Sequence, residues 1–282
     1  AVPSTLGPCR TGQYHVFYDR LFDELGLDNV ALLVSGDESS YGELGPEFTR
    51  DLWRAILLSD CFTDVRTGIR LCARDADAGL AVFDRVWGDV LAALERGATH
   101  LPAALRRARE ALQAIPKRRT LAEVKKVLVV GEIYVRRDAF SVYELSEHLI
   151  RQGIFPKLSG VGEWVHYTDW ARAEELDATR RQDGWRAMLR PGPIAERLGL
   201  GLETWWKQRV ERGIVEALAP TGLVPDAHDD LDAAMQAGTR TFIPAAMQSE
   251  ATVSPAVAAA AMQDGYSGVA IIAPFGCLPG RV

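Results

Sequence analysis

Two cysteines stand in settings that suit chemistry. Cys9 lies in Gly7-Pro8-Cys9-Arg10-Thr11-Gly12-Gln13-Tyr14, and Cys277 lies in Pro274-Phe275-Gly276-Cys277-Leu278-Pro279-Gly280. Glycine and proline bracket both, which predicts fixed, tight turns with room beside the sulfur. An iron–sulfur cluster needs thiolates aimed from rigid loops with small neighbours, because the cluster is bulky and its sulfides accept hydrogen bonds from nearby backbone N–H groups. Two thiols do not complete such a site, and cysteines in strand-end turns can equally be inert.

The other two cysteines, Cys61 and Cys72, fall about three helical turns apart, so on one helix they point the same way. Small buried hydrophobes are the simpler account of them. Glu132, Arg136, Arg137 and Asp138 follow an apolar run, where they could line a ligand pocket or form an ion-pair network at a strand end. His228-Asp229-Asp230 precedes a helical pattern, as capping residues would, and adjacent residues diverge too much to chelate a metal. His15, His100, His148 and His166 share no ligand spacing. The Trp205-Trp206 pair reads as packing.

These residues need elements to hold them. Val30-Ala31-Leu32-Leu33-Val34-Ser35-Gly36, Lys126-Val127-Leu128-Val129-Val130-Gly131 and Val269-Ala270-Ile271-Ile272-Ala273 are short, β-branched apolar runs bounded by glycine or charge, which predicts buried parallel strands. Residues 46–80, 101–115, 140–151 and 255–263 carry apolar groups at helical spacing, with Pro46 and Pro102 where a first turn tolerates proline. Residues 167–213 have helical periodicity without strands, which predicts a helical insertion. Strands alternating with helices place functional loops beyond the carboxyl ends of the strands. Glu132, Arg136 and Cys277 all fall on such loops.

Gly-Pro-Cys-Arg-x-Gly-Gln-Tyr at residues 7–14, Gly-Glu-Ile-Tyr-Val-Arg at 131–136 and Pro-Phe-Gly-Cys-Leu-Pro-Gly at 274–280, in that order, resemble the dehydratase-related region of the 2-hydroxyacyl-CoA dehydratase and CoA-substrate-specific activase iron–sulfur family. The resemblance implies an α/β fold of two flavodoxin-like or Rossmann-like parallel-sheet domains with a helical insertion. Their expected extents are residues 1–120 and 121–282. It implies a 4Fe–4S or double-cubane cluster with Cys9 and Cys277 among its ligands, and Glu132, Arg136 and Tyr14 near the substrate or pocket. The implied activity is redox: a cluster that accepts electrons from an ATP-dependent activase, with an acyl-CoA or other small substrate. The alternative is a noncatalytic docking or scaffold domain without its own cluster. The sequence departs from the family in having Thr11 where an aromatic is expected and in lacking a glycine-rich phosphate loop or a further cysteine motif.

Composition bounds the rest. The 282 residues, 48% hydrophobic and 25% charged, can bury a substantial core. A formal charge of −6 argues against broad nucleic-acid binding, which needs a concentrated basic surface. The basic run from Arg106 to Arg119 reads as a solvated helix face and linker, with an anion-binding patch as the other reading. Four scattered cysteines predict a reducing, cytoplasmic setting rather than a disulfide framework, and no apolar run is long enough to span a bilayer. A homodimer is compatible with all of this. The chain starts without methionine and stops just after a turn, as a fragment of a longer protein would.

Overall fold

The computed structural model describes residues 2–3, 10–35, 45–183, 191–225, 231–247 and 249–281. Its longest early element is helix α2, Pro46–Cys72, which starts with Pro46 in the first turn after Gly45. Apolar side chains surround this helix, which is the pattern of a helix covered on more than one side. Leu58, Val65, Ile69 and Cys72 are fully buried. The helical spacing of the sequence runs on to Leu80, but the helix stops at Cys72: Ala73 is extended, and Asp75 accepts from the Ala78 N–H at 3.0 Å to cap α3, Ala76–Glu95. A capping carboxylate of this kind is worth about 1 kcal/mol. Helix α4, Leu101–Gln113, packs on α3, and α8, Pro191–Leu218, packs on both α2 and α4. Together they close one apolar core. Gly68 permits a close crossing in this core, because a Cβ there would lie 2.2 Å from the Leu223 carbonyl oxygen.

The second layer is a parallel sheet. Strands β3 (Lys126–Gly131), β4 (Phe155–Leu158) and β5 (Gly268–Ile272) run in the order β4-β3-β5, with Val127 opposite Pro156 and Leu128 opposite Val269. Helices α5, Ile133–Arg137, and α6, Ala139–Arg151, join β3 to β4. The path from β4 to β5 is long. It takes in α7 (Val161–Asp183), α8, α9 (Leu231–Thr241) and α10 (Glu250–Gln263). Leu128 and Val130 of the central strand are buried against Tyr167, Met235, Val253 and Val257 of α7, α9 and α10, while Phe155 of β4 belongs to the helical core. A central parallel strand covered on both faces explains the continuous apolar run that predicted it.

The expected two flavodoxin-like or Rossmann-like parallel-sheet domains are overturned. Among the described residues the protein is mostly helical, and the larger of its two sheets has three strands. The run from Val30 contributes only β2, Val34–Ser35, paired over two residues with β1, Val2–Pro3. The physical reason is that this run has nothing to bury it: Val30, Leu33 and Val34 stay exposed, as does the helix before them. That helix, α1 (Tyr14–Glu24), precedes the run and contains no buried residue. The apolar residues of 46–113 instead pack helix on helix. The helices expected as an insertion are present, but α8 completes the helical core and α7 covers the sheet, so neither is a separate cap.

Candidate functional site

The carboxyl edge of the sheet begins at Gly131. Its φ of 116° and the Ile272 carbonyl, which would lie 2.0 Å from any Cβ, admit only glycine without distortion. The Glu132 N–H then donates to that carbonyl at 2.9 Å, tying the end of β3 to the end of β5. The Glu132 side chain turns back to cap α5, accepting from the N–H groups of Tyr134 at 3.1 Å and Val135 at 2.8 Å. Arg136 points inward and is fully buried. Its Nη1 donates to the Gly131 carbonyl at 3.0 Å and its Nη2 to the Gly160 carbonyl at 3.5 Å, so the guanidinium braces the loops after β3 and β4. Its Nε is buried without a hydrogen-bond partner.

Three carboxylates share this neighbourhood: Glu132, Glu163, which accepts from the Ser159 hydroxyl, and Glu250, in the first turn of α10 behind the cap Ser249. Burial pushes the Glu250 carboxyl up to about 7; the Arg136 charge and the Ile133 N–H oppose this, and the Glu132 and Glu163 charges add to it. Its Oε1 is buried without a partner. A carboxyl that titrates near neutral pH can both take and release a proton under ordinary conditions. Sequence reading missed Glu250, because the helix expected at 255–263 begins five residues earlier, at Glu250, with Ser249 as its cap.

A second polar cluster joins the two layers. Asp60 of α2 accepts from the Gly162 N–H at 2.9 Å and faces Arg137 at 2.9 Å, and Asp64 pairs with Lys157 of β4. Burial alone would depress Lys157, but the Asp64 charge and hydrogen bond outweigh it and hold the ammonium charged. Asp138 caps α6 through the Ser141 N–H at 2.8 Å.

Among the cysteines, Cys61 and Cys72 are buried in α2, and burial followed by the Asp64 charge pushes the Cys61 thiol up to about 12. Neither is poised as a thiolate. Cys277 is half-buried in a turn just past β5, where its N–H donates to the Pro274 carbonyl at 3.0 Å and its carbonyl accepts from Gly280 at 3.2 Å. Cys9 lies outside the described residues, as does His228-Asp229-Asp230. Tyr14 opens α1, is 44% exposed, and belongs to a helix that packs chiefly on the turn before it and on β1. His166 is engaged by Glu211 at 2.6 Å and meets the Trp53 ring edge-on. Trp205 is exposed, and Trp206 packs on the helical core beneath Arg54.

Glu132, Arg136 and Cys277 thus stand on the loops at one end of the sheet, but as a helix cap, an internal brace and a turn thiol. Among the described residues, no three His, Cys, Asp or Glu side chains are placed to hold a metal ion. That donor set does not fit a whole iron–sulfur cluster, since it offers one partly accessible thiol. No helix among the described residues is long and apolar enough to cross a membrane. No protein-family model, curated protein or solved structure matches the chain.

Proposed function

We infer that this chain is the docking component of an iron–sulfur redox system of the kind its motifs resemble, presenting the carboxyl edge of its sheet to a second protein surface. The observation that carries the reading is the set of exposed aromatic groups that follow the strands at that edge, on α5, on the first turn of α6 and on the loop after β5. Phe275 has no cover at all, Phe140 is 92% exposed and Tyr134 is 69% exposed. Apolar groups held in water at a functional edge are explained by a partner that covers them. Cys277 is two residues from Phe275, so such a partner would also shield its thiol. The partner implied by the resemblance is the ATP-dependent activase. Because the described donors do not complete a cluster, no electron-transfer step is assigned to this chain alone.

The test is a binding titration of the purified chain against its ATP-dependent activase. Phe275→Ser and Phe140→Ser are expected to weaken the complex about tenfold each, as truncated aromatic anchors do, with unchanged thermal stability. Unaltered affinity in both would overturn the docking face. A second reading, a cluster carried by this chain with Cys9 and Cys277 as ligands, is favoured by Cys277 being the least buried of the described cysteines. Anaerobic reconstitution separates the two. The docking reading expects iron well below about four per chain, whereas a full complement lost in both Cys9→Ala and Cys277→Ala would establish the second.

A further inference from the structure

Away from the carboxyl edge, a groove of about 440 Å³ is lined by Arg118, Arg119, Ile150, Arg151, Gln152 and Gly153. Its three guanidiniums come from the linker before β3 and from the end of α6. Two are fixed in place by the carboxyl end of α2: Arg119 Nε donates to the Leu71 carbonyl at 2.9 Å and Arg118 Nη2 to the same oxygen at 3.3 Å. These bonds use one donor of each group and leave the remainder of the fork free. The Arg119 terminal nitrogens lie beside Gly153, 3.6 Å from where a Cβ would stand, an ordinary contact distance; what favours glycine there is its φ of 74°.

None of the three arginines is in an ion pair among the described residues, and of the two acids whose charge reaches them one is neutralised by another arginine. Glu147 is bound by Arg70 at 2.5 and 2.8 Å, and Glu123 accepts from the Thr120 N–H at 2.6 Å and hydroxyl at 2.9 Å. Helix ends account for part of the positive charge. The carboxyl termini of α2 and α6 adjoin the groove, and each is equivalent to about half a negative charge. Three guanidiniums against two helix ends and the Glu123 carboxylate, which Thr120 holds without neutralising, leave roughly one positive charge without a partner. A phosphate monoester is anionic at neutral pH and presents three oxygens, which suits the net positive charge of the groove and the fork geometry of arginine.

We propose that this groove is a binding site for a phosphate dianion, held by the forks of Arg118, Arg119 and Arg151 as the terminal phosphate of a small molecule. The site is independent of the docking face and does not rest on it. Isothermal titration calorimetry with inorganic phosphate, against potassium chloride of equal ionic strength, tests it. Saturable binding at one site per chain is expected, together with a rise in Tm that chloride does not produce. Arg151→Gln, which leaves the α2 cap intact, is expected to weaken binding about tenfold. Arg119→Lys, which keeps the charge and loses the fork, is expected to weaken it about fivefold. Arg106→Gln, on the exposed face of α4, is expected to change nothing. Absence of saturation, or equal weakening by Arg106→Gln and Arg151→Gln, would show a diffuse basic field and overturn the site.

Discussion

In the helical layer, Leu58, Val65, Ile69 and Leu112 are shut from solvent and touch other apolar side chains. In the sheet layer, the side chains shut away as completely include Arg136, and the buried atoms without a hydrogen-bond partner include its Nε, Glu250 Oε1 and Ser254 Oγ. Polar groups buried without full partners cost free energy, so the difference between the layers marks where the fold gives up stability. The helical layer is support. The sheet layer, with its glycine-pinned edge and its carboxylates crowded around one arginine, is where a chemical or binding role would be found. The seam between them is polar as well: α2 turns apolar side chains toward α3 and α8 and turns Asp60 and Asp64 toward the sheet layer.

The largest expected effect tests that seam. Asp64→Asn leaves the Lys157 ammonium without its counter-charge and is expected to cost about 3–5 kcal/mol in urea denaturation. Replacing the pair together, Asp64→Leu with Lys157→Met, is expected to recover most of that loss. A double variant as unstable as the single one would show that the seam depends on the charges themselves. Next in size is the pH dependence that Glu250 confers. Its folded pKa of about 7 lies above the ordinary glutamate value of 4.5, so the folded state holds the proton more tightly. The stability this contributes is fully present below about pH 4.5 and is lost as pH rises through 7, with a slope of at most about 1.4 kcal/mol per pH unit. Glu250→Gln is expected to remove that decline in denaturation curves taken between pH 5 and 8, and an unchanged decline would place the titrating group elsewhere. The smallest effect is expected at the surface, where Arg172 pairs with Glu175 at 2.6 Å and with Glu196. Arg172→Ala is expected to shift stability by no more than about 1 kcal/mol. A larger loss would mean that α7 and α8 hold each other more tightly than exposed ion pairs permit.

The strands at Lys126 and Val269 were legible in the sequence because each is a β-branched apolar run bounded by glycine or charge, although only β3 is buried along most of its length and β5 stays partly exposed. Strand β4 was not, since Phe155-Pro156-Lys157-Leu158 carries a proline and a charge, and only the Asp64 partner on a distant helix makes Lys157 tolerable there. The Val30 run looked like the other two strands, yet local pattern cannot say whether a neighbour will come to cover it. The edge positions of Glu132, Arg136 and Cys277 could be read from the strands before them. Their orientations could not: whether an arginine after a strand faces a cleft or braces two carbonyls depends on where the Gly160 loop returns. Glu250 was illegible for the same reason, because its raised pKa comes from burial beside Arg136 and not from its sequence neighbours.

The order β4-β3-β5 also dictates when the sheet can be made. β4 can join β3 once α5 and α6 have formed, but β5 can join its other side only after the whole path through α7, α8, α9 and α10 has been synthesised, pairing Gly268 with Val127 across most of the second half of the chain. Closing so long a loop slows the step, although the entropy cost grows only as the logarithm of its length. Until then Val127, Val129 and Gly131 keep an open row of backbone donors and acceptors along the most apolar strand of the molecule. A nascent or truncated chain lacking β5 is therefore the species most prone to pair with its own copies.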